Sequence, residues 1–129
     1  MNNKKFIENL WKNIENNQID NLKNFYLDNA SIYFPESGEL FFNLNSFIKY
    51  NKKYPKDFSF NIEKTYKNNG ITISIIKIIK EDVSFYFVSF YKFIKNKIHK
   101  SIEFWSQEID KNFINNKLKG ITNNRIFDF

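Results

Sequence analysis

The sequence offers few side chains for chemistry. It has no cysteine and a single histidine, His99, which excludes a disulfide framework and cysteine-ligated zinc. His99 also lacks the further ligands that a metal site needs, and beside a turn it reads as a rim residue. Of the 14 carboxylates, Glu36, Glu39, Glu81 and Asp82 fall in turn-like stretches, and Glu8 and Glu15 face water on a helix. Glu103 differs. It lies in the strand-like run KIHKSIEFWSQE, where it shares parity with Ser101 and Trp105 and opposes Ile102 and Phe104. A carboxyl on an aromatic-walled face resists ionisation, which moves its pKa toward the range useful for acid–base work. The plainer reading puts Glu103 at a solvent-filled mouth, bonded to Tyr50 or Ser89 without doing chemistry.

The elements that would position Glu103 begin with its neighbour. VSFYFVSFYKFI (83–94) is dense in aromatic and β-branched residues, which favour a pleated, packed surface. Lys95-Asn96 separates the two runs as a hairpin turn. Both faces of the first run are apolar, so both need cover. Upstream, Phe6, Ile7, Leu10, Trp11 and Ile14 form one stripe of a helix. A shorter second helix is expected with Ile19, Leu22, Phe25 and Tyr26 buried, followed by a short strand from Ala30 to Phe34. Asn43 or Asn45 can cap a third helix carrying Leu44, Phe47, Ile48 and Tyr50. Phe58, Phe60 and Ile62 alternate as a half-buried strand, and Asn68-Asn69-Gly70 signals a hairpin. The alternation Ile71, Ile73, Ile75 then slips to Ile76, Ile78, which predicts a bulge at Ile75-Ile76. Helix, helix, short strand, helix and four long antiparallel strands make an α+β layout, with helices on one face of a curved sheet.

Bulk properties narrow the class. The 129 residues suit one domain, residues 1–110, followed by a low-complexity tail at 111–129. The net charge is +6, yet Arg125 is the one arginine among 20 basic residues and the lysines are dispersed. A solvated lysine surface is expected rather than a nucleic-acid footprint. No run serves as a signal peptide or spans a membrane, so a cytoplasmic protein is expected. No glycine-rich phosphate loop or nucleophile elbow is present, and no cofactor is expected.

These residues resemble the nuclear transport factor 2-like or SnoaL-like superfamily, which includes ketosteroid isomerases. In NQIDNLKNFYLDNAS, Leu22, Tyr26, Asp28 and Ala30 match a motif that precedes the first short strand of such proteins. Glu103-Phe104-Trp105 is similar to the ending of their last strand. The resemblance covers about Phe6 to Ile109. It implies a cone-shaped, mostly antiparallel sheet, a cystatin-like roll, with three N-terminal helices on its concave face and an apolar cavity between. By that analogy Ser101, Glu103 and Trp105 line the cavity together with Phe85, Phe87 and Ser89. Trp11, Phe34 and Tyr50 come from the helical side. Tyr86, Val88, Phe90, Ile102 and Phe104 point outward and imply a homodimer through the convex face.

Fold does not settle function. The steroid isomerases' general-base aspartate is replaced here by Phe34, and their oxyanion-hole tyrosine and acid fall near Leu10 and Ser89. The Asp-Arg-Asp set of the family's epoxide hydrolases has no counterpart, since Arg125 lies in the tail. Chemistry like that of scytalone dehydratase needs more histidine than His99 supplies. Glu103 remains. The expectation is a binder of a hydrophobic small molecule, able to act as a cofactor-free isomerase, cyclase or hydratase through Glu103. The competing expectation is a non-catalytic association domain whose cavity is plugged by its own aromatics.

Overall fold

A computed structural model describes residues 3–54 and 57–106 of the chain. The expected tail, with Arg125, lies outside the described residues. Helix α1 (Asn3–Glu15) buries Ile7, Leu10 and Trp11 from its apolar stripe. A six-residue 3-10 segment, Ile19–Asn24, follows and buries Ile19 and Leu22. Strands β1 (Tyr26–Phe34) and β2 (Glu39–Phe41) precede helix α2 (Leu44–Lys52). The Asn43 side chain caps α2 by accepting from Ser46 N at 2.9 Å. Strands β3 (Ser59–Asn68), β4 (Ile71–Lys80), β5 (Val83–Ile94) and β6 (Lys97–Trp105) complete the described chain.

The result is an α+β fold with one six-stranded sheet in the order β2-β1-β6-β5-β4-β3. Every neighbouring pair is antiparallel except β1 and β6, which run parallel. The hairpins close through two-residue turns that need left-handed backbone. Asn69 and Gly70 supply it between β3 and β4, and Lys95 and Asn96 between β5 and β6. Trp11 of α1 packs on Phe58, Phe60 and Phe87, while Phe47 of α2 packs on Tyr26 and Phe34. The core therefore lies between the helices and one sheet face.

Three local expectations change. The second helix is a short 3-10 segment, and Tyr26 belongs to β1, which is longer than the Ala30–Phe34 run. Strand pairing claims Tyr26, because β1 and β6 align it with Ile98. The bulge is not in β4, where burial alternates without a slip through Thr72, Ser74, Ile76 and Ile78. It lies opposite, in β3, where Ile62 pairs with Ile76 and Lys64 with Ile75, leaving Glu63 as the extra residue. A second shift falls between Lys92 and Phe93, where β6 carries His99 as its extra residue.

Candidate functional site

The strand phase decides what faces the core. Ser74, Ser89 and Glu103 are cross-strand neighbours in one row, and Thr72, Tyr91 and Ser101 form the next. All six are at most 4% exposed. They make a polar band on the inner face of a sheet otherwise covered by aromatic and aliphatic side chains. The extra residue at His99 lies before Ser101, so it turns Ile98 into the core and leaves the parity of Ser101, Glu103 and Trp105 intact.

Above this band lies an apolar cavity of about 340 Å³, at the lower end of the range for small-molecule sites. Of the residues expected to line it, Trp11, Phe34, Tyr50, Phe85, Phe87, Glu103 and Trp105 do so. Phe87 links the walls, with Trp11 at 5.2 Å edge-on and Trp105 stacked at 6.3 Å between ring centroids. Ser89 and Ser101 are not among the lining residues. Ser89 lies behind Glu103 as its hydrogen-bond donor, and the Ser101 hydroxyl is buried without a partner among the described residues. Tyr50 lines the cavity from a position 36% exposed. Its pKa is raised by desolvation first and then by the neighbouring Glu39.

The partner that sequence reasoning missed is Tyr91. Its hydroxyl donates to Glu103 Oε1 at 3.4 Å, and Ser89 Oγ donates to the same oxygen at 3.1 Å. Parity with Phe85, Phe87 and Ser89 pointed to Tyr91. Tyr26 and Phe47 also line the cavity; no strand pattern flagged them, since Tyr26 read as helical and Phe47 lies on α2.

Electrostatics follow from burial. Desolvation pushes the Glu103 pKa up to about 7, against the lowering influence of the Ser89 and Tyr91 hydroxyls. No ion pair among the described residues involves Glu103. The Tyr91 pKa is raised by burial and then by the Glu103 charge. Ser74 Oγ and Trp11 Nε1 sit near enough to ease its ionisation, but neither reaches hydrogen-bond geometry. The Tyr26 pKa is well above the usual phenol value for the same two reasons, burial before the charge of Glu103. Among the described residues no cluster of His, Cys, Asp and Glu could hold a metal ion, and no helix is long and apolar enough to cross a membrane.

Solved structures with this architecture are readily found. A nuclear transport factor 2-like protein of unknown function from Burkholderia xenovorans LB400 superposes with a TM-score of 0.71 at 19% identity, covering 95% of this chain and 99% of its own. The chain shares its fold with that nuclear transport factor 2-like protein. A candidate ketosteroid isomerase from Kribbella flavida DSM 17836 shares it, with a TM-score of 0.71, 10% identity and coverage of 82% of this chain and 78% of its own. So does a candidate SnoaL-like polyketide cyclase from Shewanella putrefaciens CN-32, at 0.66, 13%, 79% and 78%. No family model matches the sequence, and no curated protein matches it. Within this nuclear transport factor 2-like fold, the end of β1 carries Phe34, packed against Trp105 and Phe87. A ring there can hold an apolar ligand but cannot move a proton.

Proposed function

We propose that the chain is a cone-shaped, small-molecule-binding domain whose cavity takes a hydrophobic carbonyl compound. Glu103 acts on it as the acid–base group of a cofactor-free isomerisation, cyclisation or hydration. The observation that carries this reading is a buried carboxyl at the wall of an apolar cavity, with a pKa of about 7 and no ion pair among the described residues. Such a group is near half-ionised at neutral pH, where proton transfer in either direction is easiest. As a carboxylate it can accept a proton from carbon next to a carbonyl, and as an acid it can return that proton elsewhere on the same molecule. No redox partner is required. The folds shared with a candidate isomerase and a candidate cyclase are compatible with it.

The binding part is tested by native mass spectrometry of protein purified from its own host. A retained apolar small molecule is expected, and it should be displaced when Phe87→Ala and Trp105→Ala alter the wall. Glu103→Gln should keep binding and abolish any turnover of the retained compound. Absence of any adduct would favour the second reading, a non-catalytic association domain. That reading has its own support in the exposed Tyr86, Ile102 and Phe104 on the sheet face away from the cavity.

A further inference from the structure

The proton inventory around Glu103 says more than its burial does. Ser89 and Tyr91 both donate to Oε1, and together they fill its two acceptor positions. Oε2 makes no hydrogen bond among the described residues. If the carboxyl proton sat on Oε1, that oxygen would keep one acceptor position, so one of the two hydroxyls would have to stop donating to it and accept instead. The neighbouring hydroxyl oxygens of Ser74 and of the pair itself are the acceptors left near Tyr91, and Ser74 Oγ makes no hydrogen bond among the described residues. The displaced hydroxyl would leave a buried donor poorly paired, which is costly. A proton on Oε2 leaves both hydroxyls paired and puts the one open donor at the cavity wall, where a ligand can accept from it.

We infer that Ser89 and Tyr91 are positioning residues for Glu103: by holding Oε1 from behind, they confine the carboxyl proton to Oε2. This deepens the proposed function and rests on it for its consequence, that the ligand places a hydrogen-bond acceptor against Oε2. A neutral ketone, aldehyde or lactone oxygen fits below the titration of Glu103. Above it, the ionised carboxylate repels that oxygen. The other groups facing Glu103 are the Tyr26 hydroxyl from β1 and Tyr91 from β5. Helix α1 presents the Trp11 indole, α2 presents Phe47 and Tyr50, and Asp57 and Lys80 are the other charged side chains in the lining. Raised phenol pKa values keep Tyr26 and Tyr91 neutral across the relevant range, so Glu103 is the group that switches.

The test has two arms on the full chain. The first follows Glu103 by NMR in protein labelled with carbon-13 at the glutamate carboxyls, assigned by its loss in Glu103→Gln. The wild type should titrate near pH 7. Ser89→Ala and Tyr91→Phe should each move the midpoint upward by roughly half a pH unit or more, since each deletes a hydrogen bond to the charged form. Ser89→Thr, which keeps the hydroxyl, should restore it. Unchanged midpoints in both deletions overturn the inference. The second arm measures binding of two neutral probes, 2-acetylnaphthalene and naphthalene, at pH 5.5 and 8.5. The ketone's advantage over the hydrocarbon should fall about tenfold on raising the pH, and the fall should vanish in Glu103→Gln. A ketone advantage that does not change with pH also overturns the inference. If neither probe binds while the midpoints move as expected, the binding function fails and the positioning role stands.

Discussion

At the scale of the residue, Glu103 makes a stability statement as well as a functional one. Its folded pKa is about 7 against an ordinary value of 4.5. Between those values the folded chain keeps a proton that the unfolded chain gives up. Stability from this group is therefore fully present below pH 4.5 and is lost progressively as pH rises to 7. At about 1.4 kcal/mol for each pKa unit, the loss is about 3 kcal/mol. Urea unfolding at pH 4 and pH 8 should show wild type losing that much more than Glu103→Gln, which has no proton to release. Parallel profiles for the two proteins would mean that Glu103 is solvated in the folded state. Much of this site was legible in the sequence, because one period-two pattern sorts Phe85, Phe87, Glu103 and Trp105 onto a single face. What the pattern could not show was which of those side chains reach the cavity. Ser89 and Ser101 have the right parity, but they are short, and taller neighbours such as Tyr91 cover that face.

At the scale of the element, the two bulges explain where sequence reading failed. A register shift belongs to a pair of strands, and one strand's pattern holds only half the information. The slip from Ile75 to Ile76 in apolar phase was real as a pattern, yet β4 alternates regularly. Its inner face changes from Thr72 and Ser74 to Ile76 and Ile78, while the backbone irregularity falls on Glu63 opposite. The second helix, expected to bury Ile19, Leu22, Phe25 and Tyr26, is shortened to a 3-10 segment for a related reason: pairing with β6 claims Tyr26 for β1. The shift at His99 gives a direct check. Plain alternation back from Ser101 would place Ile98 outside, but the extra residue buries it completely. Ile98→Ala should therefore cost roughly 2–4 kcal/mol, in the range for truncating a buried isoleucine. Ile94→Ala, at a position 45% exposed beside the same turn, should change stability by no more than about 0.5 kcal/mol. Equal costs at the two positions in thermal or urea unfolding would refute this register.

At the scale of the whole molecule, the face turned away from the cavity remains to be accounted for. Paired strands place Ile73 beside Phe90, Phe90 beside Ile102, and Val88 between Ile75 and Phe104. Tyr33 and Leu40 extend the patch toward the sheet edge, each over a third exposed. Monomers seldom leave so continuous an apolar surface in water. We propose that a second copy of the chain covers it. Two such faces can bury on the order of 1,500 Å² in total, the size of a standard specific interface. Lys92 and Lys100 are direct cross-strand neighbours at one end of the patch. Two like charges opposed in this way repel each other, which keeps that end wet and sets a limit to the contact. Light scattering at micromolar concentration should give a dimer mass for wild type and a monomer mass for Phe90→Lys and Ile102→Lys. A monomeric wild type, or dimeric variants, would rule the interface out. Because this face and the cavity lie on opposite sides of the sheet, the Glu103 titration in a monomeric Phe90→Lys variant should still centre near pH 7. A midpoint that collapsed toward 4.5 would instead mean that burial of the carboxyl depends on assembly.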